Sequence, residues 1–102
     1  MAQSEHFVSL VIYPSDARIQ LGQAETLVRM AEEPLRDMPG FVAARLFLGE
    51  GGDCIVSMIE WRDRESFQNF RTSDFGRASV QVAGELHPKA YWLTPHTAVT
   101  AR

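Results

Sequence analysis

The segments FVSLVIY at residues 7–13 and CIVSMIEW at residues 54–61 are rich in β-branched and aromatic side chains, and both are apolar on either parity. Successive side chains of a strand point to opposite faces, so a strand with one solvated face should alternate to polar residues. In the later segment one set is Ile55, Ser57, Ile59 and Trp61, and the other is Cys54, Val56, Met58 and Glu60. In the earlier one Phe7, Val11 and Tyr13 oppose Val8, Leu10 and Ile12. A sheet built from these strands has two faces to cover, which few small folds can do alone.

The rest of the pattern supplies cover for one of them. Pro14-Ser15-Asp16 turns the chain after the first strand. From about Ile19 to Asp37, Leu27, Met30, Ala31 and Leu35 recur at helical steps against Glu25, Arg29, Glu32 and Arg36. That spacing predicts an amphipathic helix, interrupted or restarted at Pro34, where a backbone N–H is missing. Met38-Pro39-Gly40 ends it, Phe41 to Leu48 read as a second strand, and Gly49-Glu50-Gly51-Gly52-Asp53 as a hairpin loop. After the third strand Asp63 is placed to cap a helix, and helical segments run to about Leu86 with a break near Thr72-Ser73. His87-Pro88 closes this region, and Lys89 to Thr94 give a fourth strand. The order βαββαβ is that of the ferredoxin-like plait, an α+β fold with a four-stranded antiparallel sheet and its helices on one face. Without repeats or linkers, residues 1–102 are expected to form one domain with an ordered core of about 6–95. The second apolar sheet face is then expected to pack on that of an identical chain, giving a homodimer.

Charge and cysteine usage narrow the partners. A formal net charge of -3 argues against nucleic acid, which is held by clustered Lys and Arg. An RNA-binding plait would also carry basic and aromatic residues on its third strand, a pattern absent from CIVSMIEW. The lone Cys54 lies inside an apolar strand and has no internal disulfide partner, consistent with a reducing, cytoplasmic setting. The opening MAQSEHF shows neither the basic nor the apolar region of a leader, and no apolar run approaches the roughly 18 residues of a membrane span.

Common catalytic motifs are missing: there is no G-x-S-x-G elbow, no P-loop and no H-E-x-x-H. The glycines of the hairpin lie between two strands, so they read as a turn and not as a phosphate cradle. His6, His87 and His96 are too scattered for metal-ligand spacing, so no metal is expected. What the residues do offer is a cavity. Ser57, Ile59 and Trp61 share a parity, while Phe67 and Phe70 share one side of the following helix. If that parity faces the helices, they line an apolar slot whose polar points are an indole N–H and a hydroxyl, the composition of a small-molecule site. The same residues also describe ordinary core packing, since aromatics at strand ends and on helices are usually buried against each other.

Three stretches together carry a resemblance: HFVSLVIYP, MPGFVAARLFLGEGGDCIVSMIEWRDRESFQNF and KAYWLTPHTAV. With the Pro-Gly-Phe entry to the second strand and the E-W-x-x-x-x-x-F step into the helix, the chain resembles the antibiotic biosynthesis monooxygenase domain, a dimeric α+β barrel. Within that family it is most similar to small quinone-forming monooxygenases of aromatic polyketide pathways. The resemblance implies oxidation of an anthrone-like or polycyclic phenolic substrate by O2, without metal, flavin or haem. By position the family's pocket tryptophan falls on Trp61 and its asparagine on Ser57, which are thereby the expected catalytic pair. The family's tyrosine falls on Phe67 and a later arginine near Gln81; with Phe70 and Ile59 these are the expected substrate-binding residues. Ser57 can still form a hydrogen bond, but Phe67 cannot. The haem-degrading branch fits poorly, because its histidine falls at Val80, its later tryptophan at Phe70 and its first-strand asparagine near Val11. Two other classes stand beside the oxygenase: a polyketide cyclase of the same fold, and a non-catalytic small-molecule-binding dimer.

Overall fold

The computed structural model describes residues 6–102, so the reading made of MAQSE lies outside it. The elements are β1 (Phe7–Pro14), α1 (Gln20–Arg36), β2 (Phe41–Leu48), β3 (Cys54–Trp61), α2 (Arg64–Thr72), α3 (Asp74–Gly84) and β4 (Lys89–Leu93). The strands form one antiparallel sheet in the order β2-β3-β1-β4, the ferredoxin-like arrangement.

One expectation fails at Pro34, which neither interrupts nor restarts α1: the helix runs through it to Arg36. Proline removes one backbone donor, and here only the last turn follows. Leu35 in that turn is buried in the core and holds the chain in helical register. The break after α2 occurs as expected, and Ser73 makes it. Its hydroxyl donates to the Phe70 carbonyl at 2.6 Å and accepts the Gly76 N–H at 3.0 Å, ending one helix and capping the next. Asp63 caps α2 as read from the sequence. It accepts the Ser66 backbone N–H at 2.8 Å and the Ser66 hydroxyl at 2.7 Å, and these bonds hold its carboxyl below the ordinary range.

Two glycines make the helix packing possible. Gly40 has φ 83°, and a Cβ there would lie 2.0 Å from Ser66 Oγ, so only glycine lets the α1–β2 turn dock on the start of α2. Gly76 lets α3 close onto α2, since a Cβ would fall 1.8 Å from the Phe70 carbonyl oxygen. Gly76→Ala should therefore part the two helices and lower stability by about 1–3 kcal/mol, the usual range for overpacking. Thermal melting checks this; an unchanged midpoint would show that the junction yields freely.

The sheet's two faces differ in what covers them. Phe7, Ser9, Val11 and Tyr13 of β1 lie beside Trp61, Ile59, Ser57 and Ile55 of β3, in that register. This set faces the helices and forms two clusters at opposite ends of the strands. Phe7, Trp61, Phe67, Phe70 and Leu35 make one; Tyr13, Ile55, Ala24 and Leu27 make the other. On the other face Leu10 lies between Met58 and Tyr91, and Ile12 opposite Val56, with Phe47, Tyr91 and Leu93 exposed. A His6–Glu60 pair marks the polar end of this face.

Candidate functional site

Between the two clusters lies a cavity of about 680 Å³, roofed by α1, α2 and α3 and floored by the sheet. It exists because the middle of the sheet carries short side chains: Ser9, Ser57, Ala44 and Ala90 all line it, as do Ala31 and Ala83 from the helices. Ile59, Val11, Leu46 and Trp92 alternate with these small residues in the middle rows, and the buried clusters close the core at the two ends. The volume falls within the ordinary range for small-molecule sites, and the lining is chiefly apolar and aromatic.

The polar points are few. Ser9, Ser57 and Ser79 bring hydroxyls, and Tyr13 a phenol. Burial pushes the Tyr13 phenol above its ordinary value of 10.0, so at neutral pH it is protonated and able to donate. The sign of the linkage follows. Because the neutral form is favoured in the folded state, this contribution is fully present below the unfolded value near 10 and is lost as pH rises beyond it. Thermal melts across pH 9 to about 11 should show a steeper alkaline loss for the native protein than for Tyr13→Phe. Parallel profiles would mean the phenol is not desolvated.

Of the residues expected from the sequence, the structure brings Ser57, Ile59, Phe67 and Phe70 together on the cavity wall. Trp61 is placed differently. It is 0% exposed and lies behind the wall, with its ring centroid 5.2 Å from Phe70, 5.9 Å from Phe41 and 6.3 Å from Phe67. Its Nε1–H has no hydrogen-bond partner among the described residues. The physical reason is its position at the strand end, where Phe7 and α2 enclose it. Gln81 is exposed and does not line the cavity. On α3 the lining is made by Phe75, Ser79, Val80 and Ala83, and two residues beyond Ser79 the helix has turned about 200°, directing Gln81 outward. His96 lies in the exposed segment after β4 and does not line the cavity.

Sequence reasoning missed much of the lining, and Ser9, Tyr13, Arg71 and Trp92 show why. Ser9 and Tyr13 share the parity of Phe7, so strand alternation could have found them. Arg71 is four residues beyond Phe67 on α2 and therefore on the same side of the helix. Trp92 comes from β4, opposite Ser9, and only the sheet order places it there. Its ring meets Phe67 edge-on with centroids 5.4 Å apart, and the Arg71 guanidinium lies 4.6 Å from its centre.

Among the described residues no three His, Cys, Asp or Glu side chains converge as metal ligands, and no helix is long and apolar enough to cross a membrane. Cys54 is a free, half-buried thiol.

Residues 18–81 match the family model described as antibiotic biosynthesis monooxygenase. A stretch of 42 residues is 38% identical to tetracenomycin-F1 monooxygenase of Streptomyces glaucescens, covering 41% of this chain and 38% of that protein. The match thus spans well under half of that relative's length. Among solved structures, the fold is similar to the monooxygenase ActVA-Orf6 of Streptomyces coelicolor, crystallised with nanaomycin D. That pair has TM-score 0.78 and 24% identity over 97% of this chain and 95% of the other. It is also similar to SnoaB, a cofactor-independent oxygenase from Streptomyces nogalater, with TM-score 0.74 and 11% identity over 95% and 99%.

Proposed function

The chain belongs to the antibiotic biosynthesis monooxygenase family, and from that premise we propose that it is a cofactor-independent monooxygenase, oxidising a polycyclic phenol or anthrone of polyketide type to a quinone with O2. The observation that carries this reading is the aromatic cavity on the helix face, with hydroxyl donors in an otherwise apolar lining. Such a substrate supplies its own redox chemistry. The activated CH2 loses a proton, the resulting anion passes one electron to O2, and the radical pair recombines as a peroxide. That peroxide releases water and leaves a carbonyl, so one oxygen atom enters the product and the other leaves as water. The protein's part is to hold the rings, stabilise the anion and exclude bulk water.

In this reading Phe67, Phe70 and Ile59 pack on the substrate rings, and Ser57 donates to a substrate oxygen. Trp61 contributes its indole N–H once the rings of Phe67 and Phe70 shift aside, because a buried donor without a partner gains most from a bond to developing negative charge. The active unit is a cytoplasmic homodimer, in which the apolar sheet face around Leu10, Met58 and Tyr91 packs on a second copy.

Oxygen uptake with dihydroxyanthrone tests the proposal. Chelator-treated protein should consume O2 faster than protein-free buffer and yield the quinone. Loss of that activity, restored by one added metal, would contradict it. Product formed in strictly anaerobic buffer would point to ring closure, the cyclase chemistry, in the same cavity.

A further inference from the structure

On the reading that the helix-face cavity holds the substrate, we infer that Arg71, stacked on Trp92, is the anion-recognising edge of that cavity. Its ligand is then a planar aromatic anion, with the rings inside and a phenolate or carboxylate oxygen at the guanidinium. Phe67 and Arg71 project from one side of α2, and Trp92 reaches both: edge-on to Phe67 at 5.4 Å and under the guanidinium at 4.6 Å. All three line the cavity. A guanidinium held over an indole face by cation–π attraction still has N–H donors to offer a ligand, and its planar fork suits a carboxylate or a pair of ring oxygens.

The other rim arginines are engaged or turned away. Arg36 pairs with Glu32 at 3.1 Å and with Glu33 at 3.6 Å. Arg45 also borders the cavity, but it stands opposite Met58 in register, on the sheet face away from the helices. Glu32, the carboxylate on the rim, is held by Arg36. No carboxylate pairs with Arg71 among the described residues. Arg71 also stands on the ridge between the cavity and a second groove of about 370 Å³ formed with Gln68, Thr72, Arg77 and Val80. The charged edge of a ligand can thus meet Arg71 where polar groups and water are near, while its rings are buried among Phe67, Phe70 and Trp92. An anion deep in the apolar part would lose its hydration without compensation. For the reaction, a cation at this edge favours the ionised phenol over the neutral one, and so raises the fraction of substrate able to reduce O2.

Two probes with the same rings separate charge from shape: anthracene carboxylate and the neutral anthracene methanol, titrated by fluorescence in anaerobic buffer with the full chain. The native protein should prefer the carboxylate. Arg71→Gln should weaken carboxylate binding by about tenfold and leave the alcohol within about twofold, as expected for loss of a charge-assisted bond. Arg71→Lys should keep part of the preference, having the charge without the planar fork. An unchanged preference in Arg71→Gln, an equal loss for both probes, or no binding of either probe to the native protein would overturn the assignment. Since no turnover is needed, the two readings fail separately. Anion preference without O2 uptake removes the oxygenase alone, and O2 uptake without anion preference removes Arg71 alone.

Discussion

Trp61→Ala should destabilise the protein by about 3–5 kcal/mol, the range for truncating a large buried aromatic side chain. Trp61 is fully buried, and its ring touches those of Phe41, Phe67 and Phe70, in a cluster that also includes Phe7 and Leu35. A domain of this size has total stability of only about 5–15 kcal/mol, so much of the folded population is at risk. The melting midpoint should fall by about 12 °C or more. Trp61→Phe should behave otherwise. It sacrifices part of the ring contact, but it also deletes a buried donor that has no partner, and such a donor itself costs about 1–3 kcal/mol. The two effects oppose each other, and the variant should melt close to the native protein. Its turnover then decides the role of the indole. If the N–H reaches developing charge in the transition state, kcat should drop by on the order of tenfold to a hundredfold, with a smaller change in KM. Normal turnover would leave Trp61 as a core residue only.

Leu10→Lys should convert the proposed dimer to monomer. Leu10 lies at the centre of the apolar sheet face, between Met58 and Tyr91, and in a sheet-to-sheet dimer it would be buried near its own copy across the two-fold axis. An unpaired charge buried there costs about 3–5 kcal/mol, which raises the dissociation constant by about a hundredfold to several thousandfold. The folded chain should survive, because on the isolated monomer this face is only half-buried and lies away from both core clusters. Sedimentation at micromolar concentration should show a dimer for the native chain and a monomer for the variant. A native monomer, or a variant that still dimerises, would mean that another surface covers the face.

Strand parity made most of this fold legible from the sequence. The set beginning with Phe7 and the set ending with Trp61 do lie on one face, and the helices lie over it. Local chemistry marked the helix starts equally well, since Asp63 and Ser73 both accept backbone N–H groups where the pattern placed a cap and a break. Pro34 misled because propensity weighs a missing donor and not the burial of the next residue, Leu35.

The site was harder to read, for three physical reasons. Its volume comes from what Ser9, Ser57, Ala44 and Ala90 lack, and small residues leave no periodic signal. The depth of Trp61 depends on how far α2 closes over the strand end, which Gly40 and Gly76 permit through contacts with Ser66 and Phe70. The meeting of Arg71 and Trp92 joins a helix to an edge strand, and no spacing within either segment encodes it. Gln81 illustrates the converse: an aligned position can name a residue, but half a helical turn sends it to the wrong side.

Oxidation of dihydroxyanthrone under isotopically heavy dioxygen, followed by mass spectrometry of the product, tests the oxygenase reading most directly. One labelled oxygen atom per quinone, formed faster than in protein-free buffer and unaffected by chelator, is the predicted result. Product oxygen drawn from water, or a rate no greater than the spontaneous one, would contradict it.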